Sequence, residues 1–126
     1  MLLFRGTLWD KKLSPEQIQK VMSRWNAWME RLTQQGKLKS GQPLDRHEGK
    51  IISWKKGQTV AEGPFAESKE AIGGYFLLRV DGLEEAVEIA KLCPALEYGL
   101  NVEVRPIASE CPPFQRMKEP VAQATA

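Results

Sequence analysis

The sequence predicts a single α+β domain with a βαββαβ core, in which two helices cover one face of an antiparallel sheet. Three observations carry this prediction: a long amphipathic helical pattern in the first third, a strongly apolar run over 72–80, and an alternating strand pattern over 102–107. A chain of 126 residues fits one domain built around one hydrophobic core.

The clearest predicted element is the first helix. Ser14 is a natural N-cap, Pro15 suits the first turn, and Gln17 stands at the capping-box position. Gly36 is placed to end the helix in a left-handed conformation. The apolar positions then recur with helical spacing, at Ile18, Val21, Met22, Trp25, Met29 and Leu32, with Trp28 widening the stripe.

Short β-prone runs flank this helix. Residues 2–4 predict a short buried strand, whereas residues 38–49, rich in Gly, Pro and charge, predict a loop. Two further runs, 51–54 and 58–60, are joined by a tight link that contains Gly57. This arrangement predicts a β-hairpin.

The apolar run over 72–80 predicts a central strand covered on both faces. Within it, Gly73 and Gly74 indicate a bulge or a close backbone approach. Asp81 is placed to cap a second helix, with Glu84 at the capping-box position. The buried face of that helix is predicted to consist of Leu83, Ala86, Val87, Ile89 and Ala90.

The last strand has one apolar and one charged face. Val102, Val104 and Ile107 alternate with Glu103 and Arg105, and the proline between them favours an edge or terminal strand. The element order β-α-β-hairpin-β-α-β is that of a ferredoxin-like sheet. We therefore predict a domain over 1–107 and an irregular tail over 108–126. The sheet face without helices predicts burial in a homodimer.

The composition indicates the cellular compartment of the protein and argues against some classes of partner. The formal net charge of +2, with acidic and basic residues interleaved, argues against a nucleic-acid or membrane partner. No signal-peptide pattern or run of about 18 apolar residues is present. Cys93 and Cys111 are therefore predicted to be free thiols in a reducing compartment, which favours a soluble cytoplasmic protein.

A motif near the middle of the chain carries a family resemblance. The segment Glu62-Gly63-Pro64-Phe65, continued through 72–86 and 102–107, resembles the YCII-related family over roughly residues 1–107. It is most similar to the subgroup with an Asp-Gly-Pro-Phe motif. Glu62 stands where that motif has Asp, which keeps the carboxylate and lengthens its reach.

The resemblance implies a ferredoxin-like fold, assembled as a dimer whose sheets enclose a cleft. Most members of the family have no established activity. A few related proteins act on small organic molecules with a His–Asp pair and no metal, and others resemble regulatory partners encoded near alternative sigma factors. We therefore expect a dimeric small-molecule-binding protein or a cofactor-independent enzyme of unknown substrate. The alternative is a non-catalytic regulatory or interaction module associated with transcription.

Catalytic candidates are few. His47 is the sole histidine, and Asp45, two residues before it, would share its side of an extended loop and could orient it as a general base. The alternative is a surface histidine in a polar loop. Glu62 is a third candidate. Many relatives have a histidine before the proline that ends the second helix, where this chain has Cys93, a residue that is more often a small buried apolar group.

Ligand-binding candidates come from the motif and from the strands beside the expected cleft. The motif turn would present backbone amides and charged side chains to a ligand, or it would merely reverse the chain while its phenylalanine fills the core. Glu103 and Arg105 would bind an acidic ligand or form an exposed or dimer-facing ion pair. The predicted set is Glu62, Gly63, Pro64, Phe65, Lys69, Tyr75, Glu103 and Arg105. With one histidine and two distant cysteines, we predict no metal and no cofactor.

Overall fold

A computed structural model describes residues 1–6, 8–63 and 71–118. The strands are β1 (Leu2–Arg5), β2 (Leu38–Pro43), β3 (Ile51–Lys55), β4 (Gln58–Glu62), β5 (Ile72–Leu78) and β6 (Asn101–Val104). The helices are α1 (Pro15–Gln34), α2 (Leu83–Ala90) and α3 (Pro112–Met117), with a 3₁₀ turn at Leu96–Tyr98.

The predicted α+β fold is confirmed. Four strands form an antiparallel sheet in the order β2-β5-β1-β6, and β3 and β4 form a separate two-stranded sheet. Each long helix connects two parallel strands that have a third strand between them, which is the split βαβ arrangement of a ferredoxin-like sheet. The hairpin is an insertion between β2 and β5.

The prediction of a loop over 38–49 is wrong in its first half, because β2 occupies 38–43 and is an edge strand of the main sheet. The segment Leu-Lys-Ser-Gly-Gln-Pro lacks the alternating β-branched residues by which strands are recognised. It forms a strand because β5 provides a backbone to pair with. Gly41 lies so close to that strand that a Cβ there would be 2.7 Å from Cδ1 of Phe76. Pro43 is tolerated at the end of an edge strand.

The glycine pair in β5 behaves as predicted. The register with β1 slips at this point, since Phe4 is opposite Gly74 while Arg5 is opposite Ile72. A Cβ on Gly74 would lie 2.9 Å from the carbonyl oxygen of Gln42. The pair therefore provides both a bulge and a close backbone approach. The predicted hairpin is also confirmed, with Lys56 and Gly57 at positive φ in its turn.

An aromatic cluster forms the centre of the core between α1 and the sheet. Phe4 packs edge-on against Phe76 with ring centroids 4.9 Å apart, and Trp25 lies 4.9 Å from Phe4 on the other side. Trp28, 1% exposed, completes the cluster 5.4 Å from Trp25. Trp25 and Trp28 thus pack in the core, as predicted. Trp54 lies on the hairpin and is 70% exposed in the single chain.

The caps of the two long helices differ. At α1 the predicted capping box is present: the Ser14 hydroxyl accepts from the Gln17 amide, and the Gln17 side chain accepts from the Ser14 amide. At α2 the predicted cap is wrong by one residue. The N-cap is Gly82, without a side-chain hydrogen bond. The amide of Asp81 donates to Oε2 of Glu85 at 3.4 Å, one residue beyond the predicted partner.

This cap predicts a stabilising substitution. We expect Gly82→Ser to raise the free energy of unfolding by about 0.5 kcal/mol, because the hydroxyl would accept a hydrogen bond from the first turn and serine restricts the unfolded chain. A Cβ at Gly82 meets nothing within 4 Å. Urea denaturation measures the effect. Gly82→Ala is the matched control, since it adds the Cβ without an acceptor, and equal stability of the two variants would contradict the capping argument.

The C-terminal segment, predicted to be irregular, contains the short helix α3. None of the residues of α3 is buried, and Phe114 and Met117 are among the exposed apolar side chains. The residues from 119 onward lie outside the described part of the chain. Among the described helices, none is long and apolar enough to cross a membrane.

Candidate ligand-binding face of the sheet

The candidate site lies on the face of the main sheet that points away from the two long helices, here called the outer face. Leu2, Phe4 and Phe76 point the other way, into the core with α1 and α2. Because side chains alternate along a strand, their neighbours point outward. The outer face therefore carries Ser40 and Gln42 from β2, Tyr75 and Leu77 from β5, Leu3 and Arg5 from β1, Glu103 from β6, and Arg105 directly after it.

The strand register arranges these residues in rows. Leu3 lies between Tyr75 on β5 and Glu103 on β6, and Gln42 lies beyond Tyr75. Neighbouring strands are about 4.8 Å apart, so the Cα atoms of Tyr75 and Glu103 are about 10 Å apart. The outer face thus changes from uncharged polar side chains at the β2 edge, through an apolar centre, to charged side chains at the β6 edge.

Three charged side chains meet at the β6 edge and are here called the Arg–Glu–Arg cluster: Arg5, Glu103 and Arg105. The Arg5 guanidinium donates to Oε1 of Glu103, and the Arg105 guanidinium donates to Oε2 at 3.1 Å. The Glu103 side chain is 26% exposed, and that of Arg105 is 68% exposed. Hydrogen bonds from Arg105, and then from Arg5, lower the pKa of Glu103 below its usual value. The cluster combines one ionised carboxylate with two guanidinium groups.

The lowered pKa predicts a pH-dependent effect on stability. Because folding lowers the pKa of Glu103, its contribution is present above the unfolded value of about 4.3 and is lost as the pH falls through the folded value. We expect Glu103→Gln to be less stable than the wild type at pH 7, with the difference shrinking at pH 3. Urea midpoints at the two pH values measure this. Glu97→Gln, in the exposed pair with Arg24, is the control; an unchanged difference for Glu103→Gln would contradict the assignment.

The catalytic candidates His47 and Asp45 lie in the loop after β2. Oδ1 of Asp45 accepts from the backbone amides of His47 at 2.7 Å and Glu48 at 2.9 Å. These two bonds lower the pKa of Asp45, and the His47 bond is the larger cause. Arg46 joins the loop to Asp10 through both carboxylate oxygens, at 2.8 and 3.0 Å. The segment is a turn rather than an extended strand, so the condition for a His47–Asp45 side-chain pair is not met, and a catalytic role stays a prediction.

Glu62 and Gly63 lie at the end of the hairpin. Oε1 of Glu62 accepts from Nζ of Lys55 at 2.5 Å, and Nζ of Lys50 donates to the Gly63 carbonyl at 3.1 Å. Gly63 has φ 140°, and a Cβ there would lie 2.6 Å from the carbonyl oxygen of Gly49. Glycine is therefore required at this turn. In the described residues, no hydrogen bond or ion pair joins Glu62 to the outer face.

The structure thus brings together three of the predicted ligand-binding residues, Tyr75, Glu103 and Arg105, on one face. The predicted residues Pro64, Phe65 and Lys69 lie outside the described part. Arg5 is a cluster member that the sequence prediction misses, because the sequence predicts the first strand over 2–4 whereas β1 extends to Arg5. Its alternation with Phe4 was the available signal, since an extension of the strand by one residue places Arg5 on the outer face.

A concave feature lies on the other side of the sheet, between the two long helices. It is a crevice of about 240 Å³ whose apolar lining residues include Trp28, Leu32 and Ile89, and whose other lining residues are mostly charged or polar. The ion pair between Lys37 and Glu85, 3.3 Å from Nζ to Oε1, is part of its rim. Nε1 of Trp28 is buried and has no hydrogen-bond partner in the described structure. The sequence contained no sign of this crevice.

The two cysteines are further candidates for reactive side chains. Cys93 is buried, and its burial raises the pKa of the thiol to about 11, which suppresses the thiolate. Cys111 is exposed beside α3. Both are free thiols, as predicted. Across the described residues, no three His, Cys, Asp or Glu side chains are grouped so that they could hold a metal ion.

Comparison with known proteins assigns the domain that contains this face. The family model of the YCII-related domain matches residues 6–109. This range spans β2, β5 and β6 of the main sheet together with α1, α2 and the hairpin, whereas β1 directly precedes it. The curated proteins include no significant match to the chain. The resemblance predicted from the sequence is confirmed at the level of the family, and the Asp-Gly-Pro-Phe subgroup stays a prediction.

Proposed function

Because this chain belongs to the YCII-related family, we propose that it is a homodimeric small-molecule-binding protein whose two outer faces enclose a ligand cleft. The observation that carries the proposal is the composition of the outer face. Its centre is apolar, with Leu3, Tyr75 and Leu77, and its β6 edge carries the Arg–Glu–Arg cluster. The apolar centre suits a protein interface, and the charged β6 edge suits contact with a polar ligand.

A homodimer is proposed because helices cover only one of the two faces of the main sheet. Both long helices contribute to a core on one face of the sheet, so the apolar centre of the outer face needs another partner. Leu3, Tyr75 and Leu77 are half-buried in the single chain. A second copy related by a two-fold axis, the usual symmetry of small homodimers, would place its own outer face opposite this one. All three side chains would then be removed from bulk water, either by direct contact or inside the enclosed cleft.

The ligand part rests on the charged edge. Burying the Arg–Glu–Arg cluster in a dry interface would cost desolvation energy that its internal contacts do not fully return. In the proposed dimer the cluster therefore borders a water-filled cleft. Tyr75, Glu103 and Arg105 line it, and the motif residues Glu62 to Phe65 and Lys69 are proposed to border it. If the ligand is also a substrate, His47, Asp45 and Glu62 are the candidates for proton transfer.

Sedimentation of the full chain tests the dimer. We expect a species of twice the 14.2 kDa chain mass and a shift to monomer in Leu77→Lys, which places a charge at the apolar centre. Trp54→Lys is the matched control, because Trp54 is an exposed apolar residue on the separate hairpin sheet. A monomeric wild type, or a Leu77→Lys variant that stays dimeric, would contradict the proposed interface.

Binding is tested by a thermal-shift screen of chemically mixed small organic compounds. A compound that stabilises the wild type and perturbs the backbone amide signals of Tyr75 and Glu103 supports the cleft. Compounds whose amide perturbations map only to the crevice between α1 and α2 would contradict it. The crevice is a useful internal comparison because it lies on the opposite side of the sheet.

The exposed apolar side chains of α3 favour a second candidate function, a non-catalytic regulatory or interaction module, with transcription as one setting. Phe114 is 56% exposed and Met117 is 78% exposed. Exposed apolar side chains of this size on a short helix are suited to contact with another protein. Pull-downs with the full chain and with a chain lacking residues 108–126 test this role. Loss of specific partners on deletion supports it, and an unchanged set of partners argues against it.

A further inference from the structure

We propose that the ligand of the outer face is a small organic carboxylate with an apolar body, and that Glu103 takes the place of the ligand carboxylate in the free protein. This inference rests on the proposed function and specifies the class of ligand. It follows from the charge, the spacing and the hydrogen bonding of the Arg–Glu–Arg cluster.

The exposed positive charge of Arg105 favours an anion. Its side chain is 68% exposed, so its guanidinium can attract an anion to the β6 edge. A guanidinium has five N–H donors. In the described structure, the Arg105 side chain uses its Nη1 for Glu103 and is the most exposed member of the cluster. Donors of Arg105 are therefore available to a ligand that approaches the outer face.

The spacing favours a ligand with an apolar body. Leu3 lies directly between Tyr75 and Glu103 in the strand register, and the row from Tyr75 to Glu103 is about 10 Å long. An aromatic or aliphatic group lying on Leu3 and Tyr75 would place a carboxylate, two or three bonds further along, beside Arg105. A carboxylate without an apolar body would leave the apolar part of the row uncovered.

The hydrogen bonding explains how Glu103 would give way to a ligand. Glu103 binds each arginine through one oxygen, so neither contact is the two-bond fork that guanidinium and carboxylate groups form at their strongest. The carboxylate of a free ligand can form two parallel hydrogen bonds with the Arg105 guanidinium, because that carboxylate is not attached to the protein backbone. Glu103 therefore competes with the ligand while it keeps the two arginines in position.

The test uses two probes of equal shape, trans-cinnamate and the neutral trans-cinnamamide. Each is titrated into the full-length chain, labelled with ¹⁵N, at pH 7. We expect cinnamate to bind about tenfold more tightly than cinnamamide, because its hydrogen bonds are charge-assisted. The amide signals that move should belong to Leu3, Tyr75 and Arg105.

Three variants separate a ligand site from a purely structural ion pair. Arg105→Gln should abolish the preference for cinnamate. Glu103→Gln should tighten cinnamate binding about threefold, since it removes the competing charge at a partly exposed site. The control is Arg24→Gln, which breaks an Arg–Glu pair with Glu97 on the helical side and should change neither affinity.

Equal affinity for the two probes, or no binding of either, would overturn the assignment of the ligand class. Weaker cinnamate binding in Glu103→Gln would overturn the role given to Glu103. Neither result affects the sedimentation test of the dimer, and a neutral compound from the mixed screen that binds at Tyr75 would preserve the proposed function. Failure of this inference is therefore distinguishable from failure of the proposed function.

Discussion

Trp28→Ala is expected to lower the free energy of unfolding by about 3–5 kcal/mol, the range for removing a large buried aromatic side chain. Trp28 is 1% exposed and packs against Phe4, Trp25 and Phe76, which join α1 to the two central strands. Because a domain of this size is stable by about 5–15 kcal/mol, the variant would retain little of its stability. Urea denaturation followed by far-UV circular dichroism measures the change.

Two further variants keep this prediction testable if Trp28→Ala does not fold. Trp28→Phe retains most of the packing and removes the buried Nε1 that lacks a hydrogen-bond partner, so we expect a clearly smaller loss. Trp54→Ala is the matched control, with an expected change within about 0.5 kcal/mol because Trp54 lies exposed on the hairpin. Equal losses for Trp28→Ala and Trp54→Ala would contradict the location of the core.

The two cysteines are expected to react with a thiol reagent at very different rates. At pH 8, a thiol of pKa about 11 has roughly a hundredfold less thiolate than an ordinary thiol of pKa about 8.5. Cys93 is buried as well, so the reagent must wait for an opening of the structure, whereas Cys111 is exposed. A titration with dithionitrobenzoate should show one fast thiol, and a second one at least about a hundredfold slower.

The control for this experiment is Cys111→Ser, which should remove the fast phase and leave the slow one. Addition of denaturant should make both thiols of the wild type react quickly. Because burial raises the pKa of Cys93, its protonated thiol stabilises the folded state at pH values below the unfolded pKa. This contribution to the free energy of unfolding is lost as the pH rises towards about 11. Two fast thiols in the native protein would contradict the burial of Cys93.

Features that depend on neighbouring residues were predictable from the sequence. The capping box of Ser14 and Gln17, the turn at Gly57 and the bulge at Gly73 each involve backbone groups a few positions apart, or a conformation that glycine adopts most readily. The cap of α2 shows the limit of this approach. Asp81 and Gly82 are both acceptable N-caps, and the choice between them depends on where the chain leaves the sheet.

Features that depend on distant residues were not predictable in the same way. Residues 38–43 have no strand pattern of their own, and they form β2 because β5 pairs with them. The assembly of the candidate site also depends on distant residues. Glu103 and Arg105 were recognised as a pair on one strand face, but Arg5 lies 98 residues before Glu103 and reaches it only because β1 and β6 are neighbours.

The sequence by itself determined the class of fold, the family, the main helix with its cap, and the alternation that separates the apolar and charged faces of β6. These features follow from local backbone preferences and from the spacing of apolar side chains. Only the tertiary structure decided that β2 is an edge strand, that Asp45 bonds to the backbone of its own loop, and that Arg5 and Arg105 share Glu103. Each of these depends on which strands and loops become neighbours when the apolar surface is buried, and the pairing of distant segments leaves little trace in local sequence.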